Sequence, residues 1–148
     1  MSAAPAQILT FCIGGETYGI DILCVHEIRG WSPVTRIPNA PPDHAGVLNL
    51  RGTIVPVIDM RVRFGVGQAK TAGAVIIVLS LEAARERREL GLVVDSVADV
   101  VELAPDAVRA VPRFGARDHD SLLGLVTHGE RTVMLLAPTG FQLEERET

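Results

Sequence analysis

No stretch constrains this chain more than the twenty residues from Gly46 to Gly65, Gly-Val-Leu-Asn-Leu-Arg-Gly-Thr-Ile-Val-Pro-Val-Ile-Asp-Met-Arg-Val-Arg-Phe-Gly. Two apolar runs, Val47 to Arg51 and Thr53 to Ile58, are separated only by Gly52, which reads as two strands hinged at a tight turn. Pro56 cannot donate to a ladder, so the second strand is expected at a sheet edge or at a bulge. Asp59 then offers a side-chain oxygen to cap a short helix over Met60 to Phe64, which Gly65 closes. Arg51 sits beside the turn glycine in otherwise apolar surroundings. The stretch reads as a rigid frame for a surface, with no catalytic centre in it.

The remaining segments follow the same short rhythm. Ile8 to Ile13 and Thr17 to Ile22 alternate and flank Gly14-Gly15-Glu16, a hairpin whose glycines accept positive φ. Ile22, Val25 and Ile28 are spaced by three, which predicts a helical turn ended by Gly30. Val34 to Pro38 is short and extended, the prolines exclude regular structure through residue 42, and Asp43 is placed to cap a brief turn carrying Ala45 and Val47. After a polar loop over residues 66–73, Ala74 to Leu81 is a continuous apolar run of strand length. Glu82 to Glu89 is charged and helix-prone, and reads as a solvated loop or a helical cap on a hairpin rather than a basic ligand site. Gly91 to Asp95 and Val97 to Leu103 are strands bent at Asp95-Ser96, and Pro105 to Val108 reads as a helical turn. Leu122 to Thr127 and Arg131 to Leu136 form a last hairpin through His128-Gly129-Glu130. Nine or ten short strands with turns every 8–12 residues and no long helix predict an all-β barrel or sandwich.

Composition limits the function. At 148 residues the chain buries about 70% of its unfolded surface without disulfide or metal. With 47% hydrophobic but only 4% aromatic residues, the core is built from Val, Ile, Leu and Ala. A net charge of −4 and a sequence pI of about 5.5 argue against nucleic acid as a partner. No apolar run is long enough to insert in a membrane, and residues 1–7 read as a flexible leader lacking signal-peptide character. Cys12 and Cys24 are expected as buried reduced thiols, with a cytoplasmic address as the default.

The sequence offers little to an enzyme. His26, His44, His119 and His128 are scattered without metal-ligand spacing, and no serine stands in a nucleophile elbow. Asp95 and Asp99 could be paired as acid and base, but their valine neighbours supply nothing to split their pKa values. Asp118-His119-Asp120 reads as a solvated loop. Glu27 and Arg51 are different: a guanidinium beside apolar backbone wants a bidentate carboxylate, and Glu27 is one. The same pattern also fits two independently solvated charges.

Five runs together carry a family resemblance: Tyr-Gly-Ile-Asp-Ile (18–22), Val-His-Glu-Ile-Arg-Gly (25–30), Val-Thr-Arg-Ile-Pro (34–38), Asn-Leu-Arg-Gly-Thr-Ile-Val-Pro-Val-Ile-Asp-Met-Arg (49–61) and Gly-Leu-Val-Val-Asp-Ser-Val-Ala-Asp-Val (91–100). In this order the chain resembles the CheW family, the scaffold proteins of bacterial chemotaxis arrays. The resemblance implies an all-β fold of two small five-stranded SH3-like β-barrels packed together, with short one-turn helices, over a CheW-like domain at 8–143 and a charged tail at 144–148. It implies no catalysis, no cofactor and no metal. Its partners would be the regulatory domain of a CheA-type histidine kinase, met at one barrel end, and the cytoplasmic tip of chemoreceptors, met in an apolar groove between the barrels. Family contact positions fall on Val25, Glu27, Gly46, Arg51, Val75, Gly91 and Val100. The implied location is cytoplasmic, at receptor arrays on the inner face of the membrane.

Two departures stand out. The charged segment before Gly91 is longer than many members need, and Ala-Pro-Thr-Gly-Phe at 137–141 opens with helix breakers where the family often has a terminal helix. Alternatives to the chemotaxis adaptor are a scaffold of a non-flagellar chemosensory pathway serving surface motility or gene regulation, a regulatory domain detached from a larger kinase, and a small barrel enzyme. The kinase fragment is disfavoured because the motifs begin within twenty residues of Met1, and the enzyme because no constellation supports it.

Overall fold

The computed structural model describes residues 5–66, 73–83, 86–112 and 122–138. The leader through residue 4, the Asp118-His119-Asp120 triplet and the charged tail lie outside these residues, as does most of the polar loop after Val66. Ten strands are described: β1 (Gln7–Ile13), β2 (Glu16–Asp21), β3 (Val25–Gly30), β4 (His44–Leu50), β5 (Thr53–Asp59), β6 (Val75–Ala83), β7 (Glu86–Val94), β8 (Ser96–Glu102), β9 (Leu122–His128) and β10 (Arg131–Leu136). They form two five-stranded sheets, ordered β8-β1-β2-β10-β9 and β3-β6-β7-β5-β4. The predicted all-β fold of two small barrels is what the chain adopts.

The two barrels share one plan. Across each sheet an edge strand, β3 or β8, is followed by two hairpins, and in each the hairpins join through a parallel pair, β5 with β7 and β2 with β10. The barrel of β3–β7 is continuous in sequence, whereas the other is interrupted after β2 by the whole of its neighbour. Closure is also alike. The segment after β3 returns to pair Thr35 with Val47 on β4, and the segment after β8 returns to pair Arg109 with Leu125 on β9. At both seams a glycine admits the incoming backbone: a Cβ on Gly46 would meet the Thr35 carbonyl oxygen at 2.3 Å, and one on Gly124 the Arg109 oxygen at 2.6 Å.

The seam also accounts for Pro56. Val47 and Thr35 exchange both backbone hydrogen bonds at 2.9 Å, so the polar groups of Val47 face away from β5. Its opposite residue, Pro56, therefore has no donor to give β4, and the pairing of β5 with β7 begins one residue later at Val57. The expected edge position is overturned, since β5 lies between β4 and β7; a bulge does occur nearby, in β4 between His44 and Gly46.

Three apolar clusters hold the molecule. One fills the β3–β7 barrel around Val55, Val57, Ile76 and Val93, and a smaller one fills the other around Ile8, Val126, Val133 and Leu135. The third lies between the barrels and joins Phe11, Ile13 and Ile20 to Met60, Ile77, Leu79 and Leu92. Phe11, Tyr18 and Phe64 stack in a column beside it, with ring centroids 6.2 and 5.1 Å apart. β1 and β6 thus bury both faces, which is why Ala74 to Leu81 reads as an unbroken apolar run.

Other local readings are corrected by pairing. Only Ile22–Cys24 makes a helical turn, a 3-10 one capped by Asp21; Val25–Gly30 is strand because it pairs with β6. Asp43 caps no turn and precedes β4; its carboxylate takes His44 Nδ1 at 3.0 Å and Arg63 Nη1 at 3.3 Å. Where it is described, at 82–83 and 86–89, the charged segment is strand: pairing continues outward from the apolar run to Glu82 with Arg87 and Ala83 with Glu86. Pro105 to Val108 contains a simple turn, Ala107 N–H to Ala104 O. Asp59 caps α1 (Met60–Arg63) as expected, accepting the Arg61 N–H at 3.0 Å. Cys12 and Cys24 are free thiols, half-buried rather than buried.

Candidate docking groove and barrel-end surface

At one end of the shared core the barrels part and leave a groove of about 560 Å³. Val25, Leu81 and Arg87 come from the β3–β7 barrel, and Leu123 and Leu136 from the other. Leu23, in the 3-10 turn at the mouth, is 87% exposed. A side chain of that kind loses nothing in the free protein by meeting a partner, and an apolar trough rimmed by Asp21, His26, Glu82 and Arg87 suits an amphipathic helix. Cys24 also lines the groove. Burial first, and the Asp21 carboxylate second, push its thiol pKa up, the reverse of an activated nucleophile.

A second surface forms where β3 meets the β4–β5 turn. Arg51 and Gly52 are the two turn residues, with φ of +53° and +88°, and Asn49 Oδ1 accepts the Gly52 N–H at 2.9 Å. This conformation aims Arg51 Nη2 at Glu27 Oε1, 2.6 Å away, while Arg29 Nη1 donates to Glu27 Oε2 at 3.2 Å. The Arg51 hydrogen bond, seconded by Arg29, holds the Glu27 carboxyl below its usual pKa. The pairing weighed from sequence is therefore present, though Glu27 lies on a strand rather than a helical turn. Ile28, next to Glu27, and Ile54, three residues after Arg51, are exposed by 46% and 60%. Exposed apolar side chains thus neighbour the paired charges along the chain, the kind of side chain that anchors an interface.

The seven residues picked from sequence do not form one site. Glu27 and Arg51 are in contact, and Val25 lines the groove. Val75 is half-buried against the shared core. Gly46 and Gly91 are interior: the first underlies Thr35, and a Cβ on the second would meet Ile76 and Val57 at 3.2 and 3.3 Å. Val100 is 51% exposed on β8, in the other barrel. Sequence reasoning passed over Leu23 and Leu123, whose apolar character alone does not separate them from core leucines.

Of the candidate acid–base pair, Asp95 engages its carboxylate in the fold, whereas Asp99 contributes its backbone. Asp95 accepts the Gly14 N–H at 2.8 Å and Arg61 Nη1 at 3.3 Å, and the Asp99 backbone binds the buried Thr10 hydroxyl through both its N–H and its carbonyl, at 3.0 and 3.1 Å. Among the described residues, no group of three or more His, Cys, Asp or Glu side chains is placed to hold a metal, and no helix is long and apolar enough to cross a membrane.

Comparison with known proteins agrees with this architecture. The profile of the CheW-like domain matches residues 7–143. The chain is 45% identical over 132 residues to the chemotaxis protein CheW of Klebsiella aerogenes, covering 88% of this chain and 77% of that one. It is 32% identical over 144 residues to the chemotaxis protein CheW of Rhizobium meliloti, covering 95% and 90%. The crystal structure of the scaffolding protein TtCheW from Thermoanaerobacter tengcongensis superposes with a TM-score of 0.82 at 30% identity, covering 99% of this chain and 94% of that one.

Proposed function

The chain belongs to the CheW family, and from that premise we propose that it is a non-catalytic adaptor coupling chemoreceptors to a CheA-type histidine kinase in chemotaxis. The observation that carries the reading is two distinct sets of side chains, a groove between the barrels and a paired-charge patch, which adjoin on β3 where Val25 and His26 line the groove and Glu27 and Ile28 belong to the patch. The groove between the barrels supports docking of a helical hairpin, the receptor's cytoplasmic tip, along Leu23, Val25, Leu123 and Leu136. The barrel end around Glu27, Arg51, Ile28 and Ile54 supports docking of the kinase regulatory domain. An adaptor of this kind works by holding two partners at once, and needs no reactive group. It would act in the cytoplasm, at receptor arrays beside the inner face of the membrane.

Titration calorimetry of the full chain against a receptor-tip hairpin and against the isolated kinase regulatory domain tests the reading. Binding of both, with neither displacing the other, is expected. Failure to bind either fragment refutes the adaptor role, and mutual displacement refutes the assignment of separate surfaces.

A further inference from the structure

Arg61 is a charged side chain in the interior, with a relative exposure of only 5%. It follows Asp59 and Met60 at the end of β5, and its guanidinium forks onto Asp59, Nε to Oδ1 at 3.0 Å and Nη2 to Oδ2 at 3.2 Å. Its Nη1 reaches Asp95 Oδ1 at 3.3 Å, at the point where the chain leaves β7 for β8. The other oxygen of Asp95 accepts the N–H of Gly14, in the β1–β2 turn, and the Asp95 N–H donates to Cys12 O at 2.9 Å. Just beyond α1, Val66 donates its N–H to Arg61 O and packs over Gly14, where a Cβ would meet it at 2.7 Å. A directional chain thus runs from one barrel to the other: Asp59, Arg61, Asp95, Gly14. Burial opposes the charge on Arg61, but the hydrogen bonds and charges of Asp59 and Asp95 leave its pKa raised, so the fork stays ionised.

The position of this chain is what gives it consequence. β1 starts beside Pro5, at the groove, and ends at Gly14. β7 places its second residue, Arg87, also at the groove, and ends before Asp95. Groove and polar link therefore lie at opposite ends of strands that are roughly 20–30 Å long. Between them the barrels touch through aliphatic side chains and the Tyr18–Phe64 ring stack, apolar contacts that fix an angle less sharply than ion-paired forks do. Ion-paired forks are directional.

We propose that Arg61 and Asp95 are positioning residues for the groove, fixing the angle between the barrels at one end and thereby the width available to a partner at the other. The part of this concerning the partner rests on the groove being the receptor site; the part concerning the angle does not.

Residual dipolar couplings on the full chain test the angle directly, comparing wild type with Arg61→Met and with Asp95→Asn. In wild type one alignment tensor fits both barrels. In each variant the couplings of each barrel are expected to fit that barrel's own coordinates, while one tensor no longer fits both. If one tensor still serves both barrels in Asp95→Asn, the proposal is overturned; that variant keeps its size and decides the matter even if Arg61→Met fails to fold. Affinity for the receptor-tip hairpin is expected to fall by about fivefold or more, and that for the kinase regulatory domain to stay within about twofold. Separated tensors with unchanged hairpin affinity would leave the link standing and strike instead at the groove as the receptor site.

Discussion

Arg51 donates to Glu27 across 24 residues of sequence at 2.6 Å, and it does so from a backbone with φ of +53°. Left-handed backbone is unfavourable for a residue with a Cβ, and a hairpin turn of this kind prefers Asn or Gly at the position. The turn thus keeps an arginine where folding alone would choose otherwise, and it holds that arginine 65% exposed. That cost makes Arg51 a position at which contributions to fold and to binding can be told apart by substitution.

Replacing Arg51 by Asn separates the two roles. The side chain suits the turn, so the melting temperature of Arg51→Asn is expected to equal or exceed that of wild type. Affinity for the kinase regulatory domain is expected to drop about tenfold, as for loss of an interface anchor. A variant that melts lower yet binds normally would make Arg51 a structural residue.

The same pair carries a pH dependence of known sign. The Glu27 carboxyl is held below its ordinary value of 4.5, chiefly by the Arg51 hydrogen bond and then by Arg29. A carboxylate with a depressed folded-state pKa adds stability that is complete above the unfolded value and is lost as pH falls through the folded one. The contribution of Glu27 is therefore expected intact at pH 6–8 and lost only below 4.5. Side-chain NMR titration of Glu27 should give a midpoint under 4.5, moving up toward it in Arg51→Ala. A midpoint at or above 4.5 in wild type would show that the pair does not form in solution.

The hairpins were legible because each is punctuated locally: Gly14-Gly15, Arg51-Gly52 and the turn at Gly129 all take positive φ. The cap on α1 was legible for the same reason, Asp59 and Arg61 being two residues apart. Val25–Gly30 was misread because Ile22, Val25 and Ile28 fit a helical spacing, and only pairing with β6, some fifty residues away, makes strand the better outcome. The charged 86–89 segment was misread likewise, since its helix propensity gives way to the ladder propagating from Leu79 and Leu90. Nesting one barrel inside the other depends on the parallel pair of β2 and β10, which no local pattern announces. At the site, Glu27 and Arg51 were visible as a possible pair, whereas the link from Arg61 to Asp95, 34 residues on, was not. Gly46 and Gly91 were marked only as family contact positions; the space a side chain would need at each is taken by this chain's own backbone and side chains.

Gly46 and Gly52 should consequently respond very differently to alanine. At Gly46, φ is +146° and the new Cβ would stand 2.3 Å from a backbone oxygen that cannot yield, so Gly46→Ala is expected to lose about 3 kcal/mol or more, or to fail to fold. At Gly52, φ is +88° but the space is open, so Gly52→Ala should cost only about 1–2 kcal/mol. Urea denaturation of the two variants compares them. A Gly46→Ala protein with wild-type stability and lost partner binding would return Gly46 to the docking surface.

Leu23 gives the sharpest test of the groove, because its exposure uncouples folding from binding. Its backbone N–H is held by Asp21 Oδ1 at 3.0 Å, a bond that does not depend on the side chain, and the side chain itself is 87% exposed. Leu23→Asp is therefore expected to change stability by less than about 0.5 kcal/mol. A carboxylate at the mouth of an apolar trough opposes entry of an apolar helix face, and removes a contact that only the complex makes. Affinity for the receptor-tip hairpin should then fall about tenfold or more, while affinity for the kinase regulatory domain stays unchanged. Equal loss for both partners would mean that Leu23 supports the whole molecule, and no loss for the hairpin would place the receptor away from the groove.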